Sequence, residues 1–163
     1  MLPASNQRHC SGADELEFEK YGSYVLAFNG ARIVNWKTKE CIYSKTLPLG
    51  MARKLYRSAV QHKVGIITYE EERIIAGTPI DVYMETESRI TGLPISYRKD
   101  FPSYVNFPVN KCLLTGEPDE LERIEPLMAE EYLHEARFSA QSRSFLEANA
   151  QKCWTRPTVW RSF

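Results

Sequence analysis

The longest uninterrupted apolar run in the chain is Tyr24-Val25-Leu26-Ala27-Phe28, and Asn29-Gly30 closes it at once. A helix that crosses a bilayer takes about 20 apolar residues, so this run is far too short to span a membrane. Its length and its Tyr, Val and Phe content suit a buried strand, and Asn-Gly cheaply supplies the positive φ of a tight turn. A chain punctuated this often must assemble its core from short elements. Ala31–Trp36 and Glu40–Ser44 flank the polar Lys37-Thr38-Lys39, and their partial alternation predicts a hairpin with one solvated face. After Pro48, Met51, Leu55, Tyr56, Ala59 and Val60 recur at helical spacing, which predicts a helix up to His62 that Gly65 stops before opening a strand.

Gly65–Tyr69 and Arg73–Ala76 read as a second hairpin around Glu70-Glu71-Glu72. Asp81–Ile90 reads as a short helix ended by Thr91-Gly92 and Pro94. From there to Asn110 the spacing of Pro94, Pro102 and Pro108 predicts loop. Lys111–Thr115 is a strand. Glu117-Pro118-Asp119 opens a helix with Leu121, Ile124, Leu127 and Met128 on one face, and Asp119 near its start suits the helix dipole. Arg137–Ser142 and Phe145–Glu147 complete the pattern as short strands. Hairpins mixed with crossovers favour an α+β fold over a doubly wound parallel sheet.

With 163 residues and 43% hydrophobic content, the chain can bury one core and is not disordered as a whole. Twenty-one basic residues balance 21 acidic ones, so no global field draws it to nucleic acid or an anionic membrane. The first ten residues lack the apolar block of a secretory signal, and the expected compartment is the cytoplasm. Cys10, Cys41, Cys112 and Cys153 form no CxxC pair, which reads as four reduced thiols rather than a disulfide framework or zinc site. His9, His62 and His134 are scattered and read as surface or helix-end residues. Serine-hydrolase, P-loop and dinucleotide motifs do not occur. The acidic run Glu117–Glu135 holds apolar residues at helical spacing and reads as the solvated face of an amphipathic helix.

Three stretches carry a family resemblance: ELEFEKYGSYVLAFNGARIVNWKTKECIYSKTLP, KCLLTGEPDELERIEP and SFLE. In order and spacing, Glu15–Glu147 resembles the middle of a Cof-type haloacid dehalogenase (HAD) phosphatase, a Mg2+-dependent hydrolase of small phosphorylated metabolites such as sugar phosphates. The resemblance implies a remnant of a Rossmann-like core over residues 1–30, ending in the last strand before the cap and a hinge. Residues 31–148 would then form the family's type 2 cap, a sheet with helices on one face that closes over an active site in the core. Asn29 and Gly30 sit at the hinge and are the implied substrate-contacting residues.

The family's catalytic groups are what this sequence lacks. An Asp-x-Asp nucleophile and acid, a post-cap Lys and a late Gly-Asp-x-x-x-Asp are required, yet the four aspartates, Asp14, Asp81, Asp100 and Asp119, form no such pair. No catalytic residue, metal ligand or bound cofactor is therefore assigned to this chain. Residues 149–163 depart in texture: TRPTVWRSF admits a codon choice that, read one base earlier, gives DKAYSLEKL, the family's post-cap motif. The expectation is an out-of-frame tail, against the alternative of a basic, aromatic binding tail. Together these readings describe a fragment of a Cof-type hydrolase, inactive alone, which pairs with a missing core or with itself. The rival is a free-standing α+β binding module.

Overall fold

The computed structural model describes residues 23–28, 31–70 and 73–150. β1 (Tyr24–Ala27), β2 (Arg32–Asn35) and β3 (Cys41–Ser44) form an antiparallel three-stranded sheet. Asn35 holds the β2–β3 turn through its side-chain oxygen, which accepts from the Lys37 and Thr38 amides. β1 does not have the two covered faces its sequence predicts. It lies at the sheet edge with Tyr24 56% and Leu26 64% exposed, because among the described residues no element packs over that face.

The second sheet has six strands, in the order β6-β5-β4-β7-β9-β8. Its members are β4 (Gly65–Glu70), β5 (Arg73–Ala76), β6 (Ile95–Tyr97), β7 (Lys111–Thr115), β8 (Ala136–Ser142) and β9 (Phe145–Ala150). Both hairpins read from the sequence are present, β2–β3 and β4–β5; the last two strands, read only as short strands, form a further hairpin, β8–β9, and β7 joins β4–β5 to it by antiparallel pairing on either side. β9 continues to Ala150, which pairs with Ala136.

α1 (Met51–His62) and α4 (Pro118–Glu131) lie with Phe101 on one face of this sheet, against Ile66, Cys112, Leu114 and Leu146. Two positions assigned to their apolar stripes, Val60 and Leu127, are half exposed at the margins. α1 ends at Lys63 rather than Gly65: Lys63 takes the left-handed conformation and donates its N–H to the Ala59 and Val60 carbonyls. Pro126 inside α4 removes one helical hydrogen-bond donor.

The opposite face also carries a helix, which corrects the expected sheet with helices on one face, because Ile67 and Leu113 give that face an apolar surface of its own to cover. α2 (Val82–Thr91) sets Met84 against Ile67, Ala76 and Leu113. Asp81 caps α2 by accepting from the Met84 amide at 2.8 Å, and its other oxygen accepts from the Thr115 hydroxyl at 2.7 Å. The predicted loop up to Asn110 contains two elements. β6 pairs in parallel with β5, so β5-α2-β6 is a crossover unit, and α3 (Phe101–Tyr104) places Phe101 in the core. Both are too short to show periodicity, and the prolines that mark them as loop are tolerated: Pro94 precedes β6, and Pro102 sits in the first helical turn.

Gly65 serves close approach. A Cβ there would stand 2.1 Å from Thr115 Oγ1 and 2.5 Å from Met84 Cε. Gly65→Ala should therefore break the Thr115–Asp81 bond and cost about 1–3 kcal/mol. A urea unfolding midpoint unchanged by the substitution would refute this account of the contact.

Candidate functional site

Only one group of charged side chains in the described residues is buried, and it lies on the α2 face of the larger sheet. Lys111 opens β7, and Glu147 and Asn149 stand on the same face of β9, since Lys111 registers with Asn149 and Leu113 with Glu147. The Lys111 ammonium is 3.1 Å from Glu147 Oε2, with the glutamate fully buried. The Asn149 amide donates to the other Glu147 oxygen. Lys111 Nζ also lies 5.0 Å from the centre of the Tyr69 ring. A charge pair taken out of water persists only where close geometry and further hydrogen bonds offset the lost hydration, and both are present here.

Tyr69 extends the group towards the small sheet. Its hydroxyl donates to Glu87 Oε1 on α2 at 2.5 Å, and its ring lies 5.8 Å from that of Phe28. Burial, reinforced by the Glu87 carboxylate, holds the phenol well above its ordinary titration range. Phe28 has φ of 52°, and its carbonyl accepts from the Ala31 amide at 3.0 Å, closing the β1–β2 connection. Asn29 and Gly30, the substrate-contacting residues implied by the resemblance, lie outside the described residues. The cluster therefore reaches the β1–β2 connection through Phe28 without either residue being placed in it.

Lys111, Glu147 and Asn149 were missed by sequence reasoning. A cation and an anion on separate strands 36 positions apart leave no local pattern, and only the β7–β9 register brings them together. The chemistry available to the group is positional: the ammonium is neutralised, and the phenol is held protonated. Cys112, on the other face of β7, is equally unsuited to nucleophilic attack, because burial pushes its thiol up to about 12. Among the described residues, no three His, Cys, Asp or Glu side chains converge as metal ligands. Asp81 is occupied in capping α2, and Asp100 and Asp119 stand at the starts of α3 and α4.

A haloacid dehalogenase-like hydrolase family model matches residues 8–154. The chain belongs to this family. A Bacillus subtilis (strain 168) protein named as a phosphatase, YxeH, is 26% identical over 114 residues, covering 68% of this chain and 42% of its own length. A haloacid dehalogenase-like hydrolase structure from Bacteroides thetaiotaomicron is 27% identical with a TM-score of 0.83, over 92% of this chain and 56% of that one. The HAD subclass IIB sugar phosphatase BT4131 shares the fold, with a TM-score of 0.64 at 15% identity over 92% of this chain and 54% of its own. The chain thus spans about half the length of the relatives it matches. The family resemblance drawn from Glu15–Glu147 holds, as does the α+β cap-type fold. No helix among the described residues is long and apolar enough to cross a membrane.

Two outcomes follow. Lys111→Met alone should strand the Glu147 carboxylate and cost about 3–5 kcal/mol, while Lys111→Met with Glu147→Leu should recover most of the loss; equal losses in both, by chemical denaturation, would count against the pair. Cys112 loses its proton in the unfolded chain near its ordinary value of 9 but in the fold only near 12. Its folded value is raised, so the stability it contributes is full below pH 9 and falls as pH rises through that window. Tyr69 acts with the same sign. Cys112→Ala should reduce the alkaline loss of stability, and an unchanged pH slope above 9 would refute this.

Proposed function

We propose that this chain supplies the substrate-selecting cap of a Cof-type phosphatase of small phosphorylated metabolites, such as sugar phosphates, in the cytoplasm, and that it does not turn over substrate alone. The observation that carries this reading is the family match over residues 8–154 together with coverage of only about half of each relative. In-line phosphoryl transfer needs a positioned nucleophile and a counter-charge for the developing anion. The sequence holds no Asp-x-Asp, and the three described aspartates stand at the starts of three different helices.

Mg2+ is the metal expected of the complete enzyme, and it demands carboxylate ligands in near-octahedral order. The described residues offer no such set and do not fit the ion, so no step is assigned to it here. What a cap contributes is exclusion of water and choice of leaving group. The α2 face beside Phe28, tied to β4 by the Tyr69–Glu87 hydrogen bond, suits that task. The Tyr24 and Leu26 side chains exposed on β1 favour a second reading, an interaction module that pairs through this sheet with another chain.

Purified chain incubated with p-nitrophenyl phosphate or hexose phosphates and Mg2+ should release no phosphate above a blank. Turnover that persists through repurification and disappears in a mock preparation would overturn the reading. A monomer by light scattering at high concentration would exclude self-pairing through this sheet.

A further inference from the structure

At the end of the larger sheet, between the first two turns of α4 and the β8–β9 turn, lies a groove of about 570 Å³. Clefts that hold ligands commonly measure roughly 300–1,000 Å³. Leu121, Phe145 and Leu146 line its apolar part, Asp119, Glu122 and Glu125 stand along the α4 side, and Arg143 on the β8–β9 turn is the one cation of the lining, so acids predominate. None of these three acids forms an ion pair among the described residues. The matching ligand has an apolar or aromatic body with cations spaced along it. A small anion would meet three acids for the single Arg143, and a neutral sugar would leave those acids uncompensated.

The chain itself carries such a ligand. Residues 151–163 hold Lys152, Arg156 and Arg161 with Trp154, Trp160 and Phe163, and no acid. They follow Ala150 at the far end of β9, whereas the groove opens at Phe145, the near end. Five strand steps separate the two points, about 17 Å. An extended chain covers at most about 3.5 Å per residue, so Trp154 reaches ~14 Å and falls short, while Trp160 reaches ~35 Å and arrives. We propose that the groove seats the chain's own C-terminal tail, with the Trp160 indole on Leu121 and Phe145 and with Arg156 and Arg161 facing the α4 acids. This runs against the out-of-frame reading of the tail, which leaves Trp160 without a prepared pocket. It is independent of the phosphatase reading, which uses neither the groove nor the tail.

The test is 19F NMR of the full chain labelled with 5-fluorotryptophan, its three resonances assigned by Trp→Phe at 36, 154 and 160. Trp160 should resonate away from its position in a free 151–163 peptide. It should return to that position in Glu122→Lys/Glu125→Lys, and equally in Arg156→Glu/Arg161→Glu, which leaves the groove untouched. Trp36 is buried, and an unmoved Trp36 resonance reports an intact fold in either variant. Salt should drive the same return. A Trp160 resonance at the free-peptide position in the intact chain, or one displaced but indifferent to both charge reversals, overturns the proposal. A displacement that vanishes on dilution also overturns it, by assigning the groove to the tail of a second copy.

Discussion

No residue of β7 faces water, and the larger sheet exists because of that strand. It bonds β4 on one side and β9 on the other, so two hairpins that are each locally complete become one plate. Alternate β7 side chains serve the two layers: Cys112 and Leu114 face α1 and α4, and Leu113 faces α2. The polar residues at its ends would each be costly to bury unpaired. Lys111 is satisfied by Glu147, and Thr115 by Asp81. Those two bonds fix where β9 and α2 sit relative to the centre.

The small sheet is tied to this plate by few but specific contacts. Phe28 meets Tyr69, the Leu47 amide donates to the Val109 carbonyl at 2.8 Å, and Asn110 bonds both Ser44 and Lys45. Tyr69 in turn meets both Glu87 of α2 and the Lys111 ammonium. A displacement at the β1–β2 connection therefore presses on a ring whose own position is set by α2 and β7. That linkage joins the α2 face to the β1–β2 connection through a single ring.

Most of the architecture was legible wherever an element carried its own period or punctuation. The helix from Met51 showed its stripe, two hairpins showed their polar turns, and Asp81 marked the start of a helix that it turns out to cap. What escaped depends on partners distant in sequence. Ile95-Ser96-Tyr97 becomes a strand because the edge of β5 is there to receive it. Tyr24 and Leu26 have the composition of covered residues but are exposed. The Lys111–Glu147 pair is written in two separate strands and becomes visible only once register is known. Asn29 and Gly30 were named through family likeness alone, and they lie outside the described residues.

The order of strands in the plate also imposes an order in time. β4 leaves its synthesis paired only with β5, and its other edge stays bare until β7 is made, with Gly65 waiting for Thr115. β7 waits in turn for β9. Contacts between such distant segments close slowly, because the intervening chain must first give up its freedom. During that interval Ile66 and Ile67 are presented on an open strand edge, the kind of surface that mispairs with other chains. Yield from a fast expression system is thus governed by the wait for the centre strand, more than by the strength of the finished core.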